Sequence, residues 1–107
     1  MGVSITTKHY RGYDMGYMRF NILRERIAEY VPEKPTLGTI SFLEQPDCDG
    51  KLTYRECREL LNDIKDMPDC GSYYGYIGLG VEHCMTLTTF KEMLKAAVKH
   101  RCQMKWS

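Results

Sequence analysis

The stretch QPDCDGKLTYRE, residues 45–56, decides how the middle of the chain folds, because it resembles both a calcium loop and the start of a helix. Asp47, Asp49 and Glu56 fall at the third, fifth and twelfth positions of a helix-loop-helix calcium loop, and Gly50 falls at the sixth. The first position, where such a loop normally places Asp, is Gln45. Calcium binding through these carboxylates is therefore an alternative and not the leading interpretation.

Local chemistry accounts for the same residues without a metal. The Thr53 hydroxyl can cap a helix while Glu56, three residues later, reaches back to the Thr53 amide, which makes a capping box. Leu52 and Cys57 stand where a hydrophobic staple would place them, and Asp49-Gly50 is an ordinary turn pair. The sequence therefore predicts a helix from Thr53, with a buried stripe of Cys57, Leu60, Leu61 and Ile64.

Two further helices are predicted from apolar residues that recur every three or four positions. The first has Asp14 as its N-cap and ends before Pro32. The last starts near Thr88 or Thr89, where Glu92 completes a second capping box. Their stripes are Tyr17, Phe20, Leu23, Ile27 and Val31 in the first helix, and Phe90, Met93, Leu94, Ala97 and Val98 in the last.

The remaining segments add little regular structure. Residues Val3 to Thr7 alternate as a short strand does, residues 32–45 suit either a short helix or a strand, and the glycine-rich residues 70–80 suit an irregular loop. Three apolar stripes are buried most simply against one another. We therefore predict an α+β, predominantly α class, as a compact three-helix domain with a small β element that covers residues 1–107 as one domain.

The composition is that of an ordinary globular protein, with 43% hydrophobic and 27% charged residues among 107. No apolar run approaches the roughly 20 residues that cross a bilayer, and the N-terminus lacks the apolar core of a signal peptide. We therefore expect a cytoplasmic protein with no membrane partner. The five cysteines are odd in number and form no CxxC pair, which favours reduced thiols over a disulfide framework.

Signals for cofactors or catalysis are weak. Cys48, Cys70 and Cys84 fall in predicted loops, and His83-Cys84 places two zinc ligands side by side, but the tight paired spacing of structural zinc sites is missing. A zinc or calcium module is retained as an alternative, while the prediction is that no cofactor or metal is bound. The chain has no phosphate loop, GxSxG or HExxH motif, so we do not predict an enzyme.

Tyrosine and basic residues point instead to binding. Six of the eight tyrosines lie in two glycine-containing clusters, and tyrosine is enriched at protein interfaces. From residue 91 to the C-terminus five side chains are basic and one is acidic. The predicted partner-binding residues are Tyr73, Tyr74, Tyr76, Lys95, Lys99, Arg101 and Trp106.

Nucleic acid is a further alternative partner. The basic side chains of Lys91, Lys95, Lys99, Arg101 and Lys105 would contact phosphates, and a base would stack on Trp106 or on a loop tyrosine. However, an amphipathic helix needs a charged solvated face in any case, and the pI of about 7.6 is below that of most nucleic-acid-binding domains. Nucleic acid therefore ranks below a protein partner.

Three segments together carry a resemblance to a known group: MGVSITTKHY with YDMGYMRFNILRERIA, then FLEQPDCDGKLTYRECRELL, then TFKEMLKAAVKHRCQMKWS. They resemble small proteins of bacteriophages and prophages of Gram-positive bacteria, in which the Asp47-to-Gly50 turn is not regarded as a calcium site. The resemblance implies a phage accessory protein in the bacterial cytoplasm. Such proteins often bind and inhibit a host or antiviral-defence factor, as anti-CRISPR proteins do, or engage a small nucleotide ligand.

Overall fold

A computed structural model describes residues 2–8, 10–31, 33–67 and 80–107, with side chains for 3–8, 16–31, 33–67 and 87–107 of these. The described residues form four helices and four strands, which confirms the predicted α+β, mostly helical class, although with one more helix than expected. The elements are β1 (Gly2–Thr7), β2 (Tyr10–Gly16), α1 (Tyr17–Tyr30), α2 (Leu37–Glu44), β3 (Gly50–Leu52), α3 (Tyr54–Ile64), α4 (Gly80–His100) and β4 (Met104–Trp106).

The four strands make one antiparallel sheet in the order β2-β1-β4-β3. β1 and β2 are neighbours in sequence, whereas β4 brings the end of the chain between β1 and β3. Lys105 lies opposite Thr6 on one side and opposite Lys51 on the other. The sequence predicts only strand β1 of this sheet. Strands β3 and β4 have three residues each, and they form by pairing between distant parts of the chain.

One face of the sheet packs against the helices. Val3, Ile5, Leu52, Met104 and Trp106 point from the strands into the core and are at most 1% exposed. They meet the apolar stripes of the helices, where Phe42 stacks near Phe90 with ring centroids 4.9 Å apart and meets Trp106 edge-on at 5.4 Å. Alternation along the strands leaves the intervening side chains on the opposite, solvent-facing side.

Helix α1 begins later than predicted. Its N-cap is Gly16, with no capping side chain, and Asp14 lies in strand β2 opposite Ser4. The prediction of Asp14 as N-cap is therefore wrong, because the residues before Tyr17 pair with β1 and do not start the helix. The predicted stripe is confirmed, since Phe20, Leu23 and Ile27 are fully buried.

Helix α3 matches its prediction closely. The Thr53 hydroxyl accepts from the Glu56 amide at 3.2 Å, and the Glu56 carboxylate accepts from the Thr53 amide at 2.9 Å. Cys57, Leu60 and Ile64 form its buried side. The predicted capping box is thus confirmed.

Helix α4 starts eight residues or more before the predicted cap. It runs from Gly80, so Thr88 and Thr89 lie inside the helix and not at its beginning. Glu92 pairs instead with Lys95 at 3.3 Å. Leu87, which precedes Thr88 and Thr89, is fully buried. Packing of this residue in the core favours a helix that begins before the two threonines, although threonine often caps a helix start. No helix in the described part of the chain is long and apolar enough to span a membrane.

Helix α2 resolves the ambiguous segment 32–45. The Thr36 hydroxyl caps it by accepting from the Thr39 amide, and a carboxylate of α3 fastens this turn. The Asp63 Oδ2 atom accepts from the Thr36 amide at 3.0 Å and from the hydroxyls of Thr36 and Thr39 at 2.8 and 2.7 Å. Gly38 then allows close packing, because an added Cβ would lie 2.3 Å from the Glu56 carbonyl oxygen.

Candidate functional site

The loop between α2 and β3 is closed by the side chain at its first position. The Gln45 amide nitrogen donates to the Lys51 carbonyl oxygen at 2.8 Å, and the Lys51 amide donates to Gln45 Oε1 at 2.9 Å. These two bonds satisfy the backbone of β3 on the edge of the sheet, where another strand would otherwise pair. The residue that departs from the calcium pattern therefore has a structural task in this loop.

Helix α1 holds the same loop from the other side. The Arg24 guanidinium donates to the carbonyl oxygens of Leu43 and Gln45, the latter at 2.6 Å, and these groups end helix α2. Burial lowers the pKa of Arg24, and the nearby Asp47 carboxylate acts in the opposite direction. The Asp47 carboxylate also accepts a hydrogen bond from the side-chain amide nitrogen of Asn21 at 3.2 Å. Asp47 thus contributes to the contact between the loop and α1.

Gly50 is required by the packing of Trp106. The two residues are directly opposite on β3 and β4, and an added Cβ at residue 50 would lie 2.1 Å from the indole ring. The indole nitrogen donates to the Pro46 carbonyl oxygen at 2.9 Å, which fastens the loop to the end of the chain. The need for glycine at position 50 is therefore explained by the packing of the Trp106 indole, without a calcium ion.

The metal alternative gains no support from this geometry. The Gln45 side chain bonds the backbone of Lys51, and Gly50 leaves room for the Trp106 indole. The Glu56 carboxylate accepts from the Thr53 amide in the capping box. Within the described ranges, no three His, Cys, Asp or Glu side chains are grouped so that they could hold a metal ion.

The described cysteines occupy three different environments as free thiols. Cys48 is exposed in the loop, while Cys102 is half-buried with its sulfur 3.1 Å from the Thr7 hydroxyl. Cys57 is fully buried, and burial is the main cause that raises its pKa to about 12. The other two candidate thiols, Cys70 and Cys84, fall outside the described side chains.

The structure corrects part of the predicted partner-binding surface. Trp106 is 1% exposed and belongs to the core, so its ring is not available for stacking on a base or a partner. Lys91, assigned to the basic face of the last helix, is 7% exposed and donates to the Met67 carbonyl oxygen. Both residues were misplaced for the same reason. The pairing of Trp106 with β3 and the bond from Lys91 to Met67 join distant parts of the chain, so the local sequence does not show them. Tyr73, Tyr74 and Tyr76 lie outside the described residues.

The other predicted basic residues are exposed. Lys95 forms a surface pair with Glu92, and Lys99 lies in the last turn of α4. Arg101 follows the helix and lies near the Tyr54 phenol at the start of α3. The Arg55 guanidinium bonds this phenol and is the main cause that lowers the Tyr54 pKa, with Arg101 contributing through its charge. The positive charge of Arg101 therefore acts on the start of α3.

A basic surface that the sequence interpretation missed lies on the outer side of the sheet. We define the lysine face by the exposed residues Thr6, Lys8, Lys51, Gln103 and Lys105. Lys51 and Lys105 are directly opposite each other on neighbouring strands. No carboxylate in the described part of the chain pairs with Lys8, Lys51 or Lys105 within 4.0 Å. The three lysines therefore form no ion pair with a described residue.

Two open depressions adjoin on this face and share Thr6, Gln103 and Lys105. The first, of about 510 Å³, adds Lys8, and the second, of about 440 Å³, adds Lys51. Asp49 lines only the second. Lys105 thus lines both depressions, each of which has a further lysine.

A sequence signal for the lysine face exists, but it is short. Lys51 stands between Gly50 and the buried Leu52, and Lys105 stands between the buried residues Met104 and Trp106. An apolar residue on each side of a lysine is typical of a half-buried strand. Three residues are too few to distinguish this pattern from a loop without knowledge of the pairing.

No family model, curated protein or solved structure matches this chain. The resemblance to small phage proteins therefore stays a prediction.

Proposed function

We propose that this protein acts by binding, and that the lysine face seats an acidic surface of a partner protein. The observation that carries the proposal is the cross-strand pair of Lys51 and Lys105, two exposed like charges without a described carboxylate partner. The proposed activity needs no chemical step, because its effect follows from occupation of the partner.

The charge arrangement favours an acidic partner. Like charges directly opposite on a sheet destabilise it, so the free protein bears an electrostatic cost at this pair. A carboxylate-rich surface would remove that repulsion and form ion pairs in its place.

A protein partner is favoured over nucleic acid. Trp106, one of the rings expected to stack on a base, is in the core, and Lys91 is buried and not part of the basic helix surface. Single-stranded nucleic-acid sites combine a positive groove with exposed aromatic rings, whereas Trp106, the aromatic residue that lines the second depression, is only 1% exposed. The net charge of the chain is only +1, so long-range attraction to a polyanion is weak.

The kind of partner follows from the resemblance to phage accessory proteins. We propose a host or antiviral-defence factor in the bacterial cytoplasm, inhibited by direct binding as in anti-CRISPR proteins. The three loop tyrosines Tyr73, Tyr74 and Tyr76 remain proposed partner contacts, together with Lys95, Lys99 and Arg101. Trp106 is withdrawn from that set because of its burial.

The test compares charge-reversal variants in affinity capture from a Gram-positive bacterial lysate, quantified by mass spectrometry. K51E/K105E should lose the protein that the wild type retains. K34E/K65E is the matched control, because it reverses two exposed lysines outside the lysine face and should retain that protein. Thermal unfolding of both variants verifies that they fold. Equal capture by K51E/K105E and wild type would contradict the proposal.

A further inference from the structure

The lysine face contains two adjoining subsites that share the side chain of Lys105. Lys105 lies on β4, the strand between β1 and β3, and it lines both depressions. Lys8 lines only the first depression, and Lys51 lines only the second. Each subsite therefore offers one lysine of its own, besides the shared Lys105, Thr6 and Gln103.

We propose that the partner inserts an extended acidic segment, with carboxylates at positions i and i+2 in the two depressions. The inference rests on the proposed function, and it specifies which part of the acidic partner is recognised. Lys105 would then lie between the two carboxylates and interact with both.

The geometry of extended chains supports this spacing. Side chains two residues apart on an extended peptide point to the same side and are separated by about 6.6 Å. Neighbouring strands are about 4.8 Å apart, so the strands that flank β4 are separated by about 9.6 Å. Two carboxylates on one side of an extended segment therefore reach to either side of Lys105, whereas adjacent carboxylates point in opposite directions.

The chemistry of the lining residues favours carboxylates on flexible side chains. Lysine presents a compact charge with rotatable donors, unlike the rigid fork of arginine. Thr6 and Gln103 add neutral donors to both subsites. Asp49 makes the second subsite less favourable to an anion than the first. Replacement of Asp49 by Asn should therefore tighten binding, whereas loss of a calcium ligand would not have that effect.

The experiment is an NMR titration of the isotope-labelled protein with short peptides. The probe is Ser-Glu-Ser-Glu-Ser, and the comparison peptides have adjacent glutamates, Ser-Glu-Glu-Ser-Ser, or glutamines at the same spacing, Ser-Gln-Ser-Gln-Ser. The first peptide should cause saturable shifts of the amides of Thr6, Lys8, Lys51, Gln103 and Lys105. The wild-type protein should bind the peptide with adjacent glutamates about two- to fivefold more weakly than the probe. The Lys105→Gln and Lys8→Gln variants should bind the probe more weakly by the same factor, as expected for the loss of one exposed ion pair. Asp49→Asn should strengthen binding of the probe.

Several outcomes would overturn the inference. These are no shifts on the lysine face, equal affinity for all three peptides, or tighter binding of an oligothymidylate to the same amides. If the peptides fail while K51E/K105E still loses its captured partner, the acidic segment is wrong and the proposed function stands. If the double variant captures the partner as the wild type does, the proposed function itself fails.

Discussion

Gly50 lies directly opposite Trp106, and the indole occupies the space that a Cβ at residue 50 would need. This contact joins the loop after α2 to the last strand and buries the largest aromatic side chain of the core. The hydrogen bond from Trp106 to the Pro46 carbonyl oxygen fixes the ring at the same place. A glycine that suggests a metal loop is therefore part of the core packing.

Gly50→Ala should destabilise the protein by about 1 to 3 kcal/mol, as overpacking of a core usually does. The measurement is the free energy of unfolding from urea denaturation. Gly16→Ala is the comparison, because an added Cβ there meets nothing within 4 Å, and its effect should be limited to the loss of a glycine N-cap, about 1 kcal/mol or less. Equal losses in the two variants would contradict this role of the Gly50–Trp106 contact.

The parts of the fold with local signals were predictable from the sequence. The capping box of Thr53 and Glu56 and the stripe of α1 carry their own evidence within a few residues. Strands β3 and β4 do not, because their pairing joins residues more than 50 positions apart. The same lack of local information placed Trp106 on a binding surface and left the pairing of Lys51 with Lys105 unrecognised.

Asp63→Asn should destabilise the native protein by roughly 1 to 3 kcal/mol at neutral pH, since the carboxylate accepts three hydrogen bonds. Burial raises the pKa of Asp63, but the bonds from Thr36 and Thr39 outweigh it and the net pKa is lowered. The stabilisation is therefore complete above the unfolded value of about 3.9 and is lost as the pH falls through the folded value.

Urea denaturation at neutral and acidic pH checks this expectation. The difference between wild type and Asp63→Asn should shrink as the pH falls. Asp66→Asn, an exposed position just beyond the end of α3, should behave like the wild type at both pH values. A difference for Asp63→Asn that does not change with pH would exclude the charged carboxylate as its source.

Lys105→Gln should raise the free energy of unfolding by roughly 0.2 to 1 kcal/mol, because it removes a like-charge pair across two strands. The gain should decrease as salt screens the repulsion. Lys34→Gln, an exposed lysine in a loop, should leave stability unchanged. A loss of stability in Lys105→Gln would show that its side chain supports the fold and would remove the electrostatic argument for a binding role.

Alkylation should distinguish the described thiols. Cys48 is exposed and should react with iodoacetamide in the native protein, whereas the Cys57 thiol is buried with a pKa of about 12 and should react only after unfolding. Peptide mapping by mass spectrometry measures the alkylation rates of both thiols.

Burial of the Cys57 thiol also makes stability depend on pH. Since the folded pKa of Cys57 is raised, the contribution of this thiol to the free energy of unfolding is present below the pKa of the unfolded state and is lost as the pH rises toward about 12.

The most direct test of the central claim is the salt dependence of binding between the purified protein and its captured partner, measured by calorimetry. The lysine face predicts that the affinity of the wild type falls steeply with ionic strength. K51Q/K105Q should bind more weakly at low salt and should show a much smaller salt dependence. An affinity that is independent of salt, or equal in the two proteins, would contradict the proposed role of the lysine face.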